Sequence, residues 1–327
     1  MNDKKDAIIR LEPVFSRLKI IERNIKFSLG RNQNIYHYTD YNAFCSIIEN
    51  KEFWATNIYY MNDKNEYQHG LRLFERCLVR KMQNASEPEG KIYAEALSHI
   101  DDIVSGEIFP LSSRNVFALS FSYNKDSLLM WKMYGGESGI SMEFDWNQCH
   151  GDPGMRLIRK ELYEKEENAG IKKSEIFFPY SVVYDDKKKE ELVEYSIETI
   201  MDVYRHLSFE SYIEGCVTDL VDQFFLVSPL LKDRKFEGEG ECRFIEQGVP
   251  RQGEDFCIKY RKRRGEDVPY IKFNVLDGYG HPIQEWPIRE IMVGPGEQQE
   301  KTTKKVKAFL ADHNLQYLAD KVKPSSL

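Results

Sequence analysis

Short apolar runs of strand type are spaced unevenly along this chain, and the helical patterns between them come in bunches. The clearest buried strand is Asn115–Ser122, and charged stretches with helical periodicity occupy residues 64–105 and 186–230. This arrangement favours an α+β fold, a mixed sheet with helical insertions, over the strict alternation of a doubly wound sheet. An amphipathic pattern within residues 1–30 predicts an N-terminal helix. We therefore predict a single compact α+β domain over residues 1–327.

The composition is typical of a globular protein without general affinity for polyanions or lipid. Of the 327 residues, 41% are hydrophobic and 13% aromatic, which is enough for a sizeable core. The net charge of −7 gives no overall attraction to nucleic acid or to an anionic membrane. No apolar run approaches the roughly 18 residues that a membrane span needs. The six cysteines form no metal-binding pair. We expect a soluble protein of the reducing cytoplasm, with reduced thiols and no bound metal.

Glycine-rich phosphate loops do not explain this chain. Gly135-Gly136 and Gly294-Pro295-Gly296 match neither the dinucleotide-binding fingerprint nor the nucleoside triphosphate loop. A Rossmann dehydrogenase and a P-loop ATPase are therefore both disfavoured.

Three short segments carry polar side chains that could do chemistry. A histidine lies between two tyrosines at a strand end, two serines share one face of the buried strand, and two glutamates alternate in a later acidic run. In chain order these residues are His37, Ser120, Ser122, Glu239 and Glu241. We expect the acidic run to be extended, so that both carboxylates point the same way. Each segment also has a purely structural interpretation: a partly buried histidine, hydroxyls bonded to backbone, and a solvated turn.

Taken in order, these segments resemble a bacterial family known as domain of unknown function 2971. The resemblance spans about residues 34–310, and the family name implies no activity. The stretches that carry it are residues 36–39, 53–56, 61–66, 119–122, 130–135, 139–144, 236–243 and 288–295.

The order His-x-Thr, Ser-x-Ser, Glu-x-Glu is also similar, more weakly, to the ADP-ribosyltransferase fold. This second resemblance implies a cleft that binds NAD as co-substrate. It implies that His37 and Thr39 contact a ribose of NAD, and that Ser120 and Ser122 shape the nicotinamide pocket.

The same resemblance implies a carboxylate and a flat aromatic surface near the reacting bond. Breaking the bond between nicotinamide and ribose builds positive charge on the ribose, which a carboxylate stabilises. We assign Glu241 to the ribose and Glu239 to the side nearer the target, and Tyr134 or Trp131 holds the nicotinamide ring. Glu241→Gln is then expected to abolish nicotinamide release with little change in melting temperature. A ribose-binding His37 shuttles no proton, so activity should depend weakly on pH near 6.5.

Three functional hypotheses follow. The first is an NAD-dependent ADP-ribosyltransferase-like enzyme, such as a toxin or an anti-phage defence effector, which modifies a macromolecule or consumes NAD. The second is a non-catalytic sensor of the same fold that binds a nucleotide or a protein. The third is a metal-dependent nuclease, for which the chain shows no compact Asp/Glu/Lys motif. The basic run at residues 260–264 predicts a solvated hairpin tip, with a phosphate contact as the alternative.

Overall fold

A mixed β-sheet with helices on both faces forms the framework. The computed structural model describes residues 34–61, 65–105, 115–136, 139–144, 156–159, 179–206, 213–248, 258–277, 281 and 283–327. Within them, the strands β1 to β11 are Ile35–Asp40, Glu52–Asn57, Asn115–Ser122, Gly139–Phe144, Arg156–Arg159, Pro179–Ser181, Glu241–Gly248, Lys259–Arg263, Glu266–Leu276, Ile288–Val293 and Val322–Pro324. The helices α1 to α7 are Tyr41–Asn50, Glu66–Met82, Glu89–Ser105, Asp186–His206, Ile213–Val227, Gln299–Asp312 and Gln316–Ala319. The predicted N-terminal helix lies outside the described residues.

The strands follow the order β11-β10-β4-β1-β3-β2-β9-β5, with β7 and β6 joined through β3 and with β8 joined to β9. Every pair is antiparallel except β10 with β11. The predicted mixed α/β architecture is therefore confirmed. Helices α2 and α3, then α4 and α5, occupy the two stretches predicted as helical insertions.

Each face of the sheet has its own apolar core, as the two-residue period of a strand requires. On β3, Val116 faces the core that α2 to α5 cover. Phe117, Leu119 and Phe121 face the opposite core, which contains buried side chains of α1, α6 and α7. The alternating apolar residues of this strand thus contribute to both layers of helices.

Strand β3 is where the sheet divides. One edge of β3 pairs with β7 along its whole length, from Asn115↔Gly248 to Ser122↔Glu241. The other edge must therefore serve both β2, which pairs at Phe117 and Ala118, and β1, which pairs at Ser122. Between these two pairings β1 and β2 separate, and a cleft opens over the unpaired edge of β3.

Three local predictions were wrong. The pattern of residues 316–318 predicts a short strand, but these residues form helix α7, and the last strand follows at Val322–Pro324. The acidic run is not extended throughout, because Arg234–Glu239 forms a 3₁₀ helix and only Glu241 begins β7. The position of Asp126 before a helical pattern predicts that it caps the helical turn, but the Ser127 hydroxyl accepts from the amide of Met130 instead.

The approach of α2 to the turn after α5 provides a test of this packing. A β-carbon on Gly70 would lie 2.5 Å from the carbonyl oxygen of Ser228, whereas one on Gly90 of α3 meets nothing closer than 3.9 Å. We expect Gly70→Ala to lower the free energy of unfolding by roughly 1–3 kcal/mol because backbone must move. Gly90→Ala should leave it equal or higher. Chemical denaturation of both variants measures the difference, and equal stabilities would contradict this packing.

Candidate ligand-binding cleft

The cleft between β1 and β2 has a volume of about 900 Å³, within the usual range for small-molecule sites. Its walls come from β1, β2, helix α1, the middle of β3, the 3₁₀ helix Arg234–Glu239 and strand β8. The lining includes His37, Thr39, Trp54, Ser120, Tyr134, Lys232, Glu239, Arg243, Arg261 and Arg263.

His37 fills the point where β1 leaves β3. Its ring lies between Phe53 and Phe121, with both ring centroids 5.1 Å away. The Nδ1 atom is 3.1 Å from the carbonyl oxygen of Ser120, which can only accept, so Nδ1 carries the proton. Burial lowers the pKa of His37 to about 4, and the imidazole is therefore neutral at pH 7. Its Nε2 lone pair is left as an acceptor.

Glu239 is fixed by the 3₁₀ helix and its junction with β7. The Ser122 hydroxyl donates to the Glu239 carbonyl at 2.6 Å, and the Asn124 side chain donates to the Gly238 carbonyl at 2.8 Å. Gly240 then turns the chain at φ 51°, and a β-carbon there would lie 2.9 Å from the Asn124 amide. These contacts hold the Glu239 side chain at the cleft wall.

A buried ion-pair network lies behind and beneath that carboxylate. Arg243 donates two hydrogen bonds to Glu241, from Nε to Oε1 at 2.8 Å and from Nη2 to Oε2 at 2.7 Å. It also forms an ion pair with Glu66 of α2. Lys232 Nζ lies 2.9 Å from Glu239, 3.0 Å from Glu241 and 3.4 Å from Glu66. Three carboxylates thus share two cations.

The pKa values of the two carboxyls beside Lys232 shift in opposite directions. For Glu241, burial would raise the pKa, but Arg243 and Lys232 outweigh burial and hold the pKa below its usual range. For Glu239, burial dominates and raises the pKa, although Lys232 opposes it. Glu239 is therefore the carboxyl of this pair that binds a proton more readily.

Tyr134 faces Glu239 from a short helical segment, Leu128–Met130 continued by a π-helical turn Trp131–Gly135. The phenol donates to Glu239 Oε2 at 3.3 Å. Trp131 supports this segment from beneath: its Nε1 donates to Asp126 at 2.9 Å, and β-carbons on Gly139 or Gly294 would collide with its ring. Only 4% of Trp131 is exposed, so it offers no open face to a ligand.

The cleft brings together five of the eight predicted site residues: His37, Thr39, Ser120, Tyr134 and Glu239. The other three lie in its supports. Ser122 is fully buried and orients Glu239, Trp131 packs beneath Tyr134, and Glu241 is held by Arg243. The register also places Glu241 and Ser122 on one face of the sheet, whereas His37 points to the other. Glu241 does not line the cleft, so the expectation that it points into the cleft with His37 is wrong.

Sequence reasoning missed the basic and aromatic side of the cleft. Trp54 stacks on Tyr270 with ring centroids 4.3 Å apart, and the guanidinium of Arg261 lies 5.8 Å from the Trp54 ring. The basic run was predicted as a solvated tip, which holds for the exposed turn at Arg264 but not for Arg261. The signal was available, since Arg261 and Arg263 are two residues apart in a strand and share a face.

Residues 130–244 match the sequence model of a family described as Protein of unknown function (DUF2971). The predicted resemblance to that family is thus confirmed over a stretch that includes Tyr134, Lys232, Glu239, Glu241 and Arg243. No curated protein and no solved structure shows significant similarity to the chain.

Three observations bear on the remaining predictions. Cys77, Cys216 and Cys242 are free and buried, and Cys45 is free and half-buried. None of the helices described is long and apolar enough to cross a membrane. In the described ranges, no three His, Cys, Asp or Glu side chains are grouped to hold a metal ion.

The ion pairs make Glu241 a test of stability. Glu241→Gln removes the charge that compensates buried Arg243, so we expect a loss of about 3–5 kcal/mol in the free energy of unfolding. The matched control, Glu300→Gln, breaks an exposed pair with Lys304 on α6 and should cost less than about 1 kcal/mol. Equal denaturation midpoints for the two variants would contradict the network. The sequence-based expectation of an unchanged melting temperature for Glu241→Gln loses its basis here.

His37 should make stability depend on pH. An unfolded histidine titrates near 6.5 and the folded one near 4, so between these values the unfolded chain binds more protons. Its contribution is fully present above pH 6.5 and is lost as pH falls towards 4, by roughly 2 kcal/mol between pH 7 and pH 5. Urea denaturation at both pH values should show a correspondingly smaller loss in His37→Gln. An identical pH dependence in both proteins would mean that the imidazole keeps an ordinary pKa.

Proposed function

We propose that the cleft binds NAD and that the chain is an ADP-ribosyltransferase-like enzyme, which breaks the bond between nicotinamide and ribose. The observation that carries this proposal is the meeting, in one cavity, of the Glu239 carboxylate, the Tyr134 ring and the neutral His37 imidazole. A cleft of this size accommodates a dinucleotide. The division of the sheet at β3 suits the same fold, since it opens a site in the middle of a mixed sheet.

In this proposal Glu239, rather than Glu241, faces the reacting ribose. Cleavage leaves the bonding electron pair on nicotinamide and positive charge on the ribose, which the Glu239 carboxylate stabilises. Water or a nucleophilic group of a target then bonds to the ribose carbon and releases a proton, which Glu239 can accept. Glu241 acts through Arg243 and Lys232 and positions Glu239.

His37 and Tyr134 orient the substrate. The Nε2 atom of His37 accepts a hydrogen bond from a ribose hydroxyl, a role that needs no titration between pH 5 and 8. Tyr134 offers a flat surface beside Glu239 for the nicotinamide ring. His37→Ala should then weaken NAD binding, because the ribose is no longer held in place.

A toxin or an anti-phage effector that acts in the cytoplasm fits this chemistry, since NAD and reducing conditions occur there together. The transferred ADP-ribose would go to a macromolecule or to water. The reduced thiols of Cys77, Cys216 and Cys242 agree with that compartment.

One observation favours a second candidate, a sensor that binds a nucleotide without cleaving it. Both Glu239 and Glu241 already pair with Lys232, so neither carboxylate is without a cation in the unliganded chain. The metal-dependent nuclease has no comparable support in the parts of the chain described.

Nicotinamide release tests the enzyme against the sensor. The purified chain is incubated with NAD, and nicotinamide is measured by liquid chromatography. We expect Glu239→Gln to reduce release by about 10²–10³-fold, the usual effect of removing one charge-stabilising group. The control is Glu237→Gln, an exposed carboxylate in the same 3₁₀ helix, which should behave as wild type.

One further outcome contradicts the enzyme, and another contradicts only the role of Glu239. Calorimetric NAD binding without nicotinamide release would establish the sensor. Full activity in a folded Glu239→Gln protein would remove Glu239 from the mechanism.

A further inference from the structure

The hairpin of β8 and β9 carries two arginines on one face. Arg261 pairs with Val268 and Arg263 with Glu266, and side chains of directly paired residues share a face. Val268 is buried, so Arg261 points inward to the cleft. Lys262, between them, points the other way and forms an ion pair with Asp267 at 2.8 Å.

Arg261 is a partly buried cation without a carboxylate partner among the described residues. Its Nη2 donates to the Thr56 hydroxyl at 2.8 Å, while its Nε is buried and has no hydrogen-bond partner there. Burial and then the charge of Arg263 lower the pKa of Arg261. Asp40 lies near but beyond salt-bridge distance, and its carboxylate caps α1 through the Ala43 amide at 2.9 Å.

The other carboxylate on this wall is already engaged. Glu52 pairs with Lys272 across β2 and β9 and accepts from Trp54 Nε1 at 3.1 Å. A guanidinium that has lost part of its hydration and has no countercharge is a ready receptor for an anion, above all for a phosphate, which matches its forked donors.

We infer that Arg261, with Arg263 beside it, forms the subsite for the phosphates of a nucleotide bound in the cleft. The inference rests on the proposed function, because it assigns the diphosphate of the co-substrate to the side of the cleft that the hairpin provides. Anionic phosphates and a cationic nicotinamide then find complementary charge, at Arg261 and at Glu239, in one cavity.

Calorimetric titration of the full chain with ADP, ADP-ribose and adenosine tests the subsite at fixed salt concentration. Wild type should bind ADP and ADP-ribose and bind adenosine far more weakly. Arg261→Met keeps length without charge and should weaken ADP binding roughly tenfold or more, with adenosine unaffected. The control Arg264→Met alters the exposed turn of the same hairpin and should leave ADP binding unchanged.

Thermal melts separate binding from folding. Arg261→Met removes an uncompensated cation, so its melting temperature should equal or exceed that of wild type. Loss of ADP binding in a protein of unchanged stability supports the subsite.

Several results would overturn it. They are unchanged ADP affinity in Arg261→Met, pyrophosphate binding as tightly as ADP, and binding of a single-stranded oligonucleotide but not of ADP. Failure of the proposed enzymatic activity can be distinguished from failure of the subsite. If ADP affinity depends on Arg261 but the protein releases no nicotinamide, the phosphate subsite stands and only the enzymatic activity is contradicted.

Discussion

Strand β3 hydrogen-bonds to three other strands, and the sharing of one of its edges between β1 and β2 creates the cleft. An unpaired strand edge normally exposes carbonyl and amide groups that must find partners. Here the imidazole of His37 supplies a donor to the carbonyl of Ser120, so the same side chain supports the division of the sheet and lines the cavity that results. His37 is buried between the rings of Phe53 and Phe121 at this junction, and that burial keeps its imidazole neutral.

Buried charge determines the opposite wall. Glu66 of α2, Glu241 and Arg243 of β7, and Lys232 before the 3₁₀ helix come from three elements, and none of them could be buried alone at acceptable cost. The network therefore fixes how α2 packs on β7 and, through Lys232, where Glu239 stands. With Glu239 included, three carboxylates contact two cations, and Glu239 is the one of the three at the cleft wall that Tyr134 also contacts.

Much of this fold could be predicted, because strand and helix periods are local properties of a sequence. The buried strand Asn115–Ser122 was predicted to the residue, and the two helical stretches lie where charged periodicity indicated. The prediction of an extended acidic run failed at Glu239, because Gly240 in a left-handed conformation interrupts the strand pattern.

The candidate site was harder to predict from the sequence, since it depends on which strands pair with one another. No local pattern in the sequence predicts the ion pair between Arg243 and Glu241, or the contact between the Arg261 guanidinium and the Trp54 ring. Glu239, His37 and Tyr134 were predicted as site residues only through the order of the motifs along the chain, and their roles stay predictions.

The pairing of β2 with β9 joins residues very far apart, such as Glu52 and Lys272, which are 220 positions apart. The pairing of β3 with β7 likewise joins segments that are far apart in sequence, from Asn115↔Gly248 to Ser122↔Glu241. Contacts of such long range are slow to form, because the intervening chain loses its freedom before the contacts repay that loss. We therefore expect the two walls of the cleft to be assembled at a late stage of folding. A partly folded chain can hold its helices while it still lacks any cavity for a ligand.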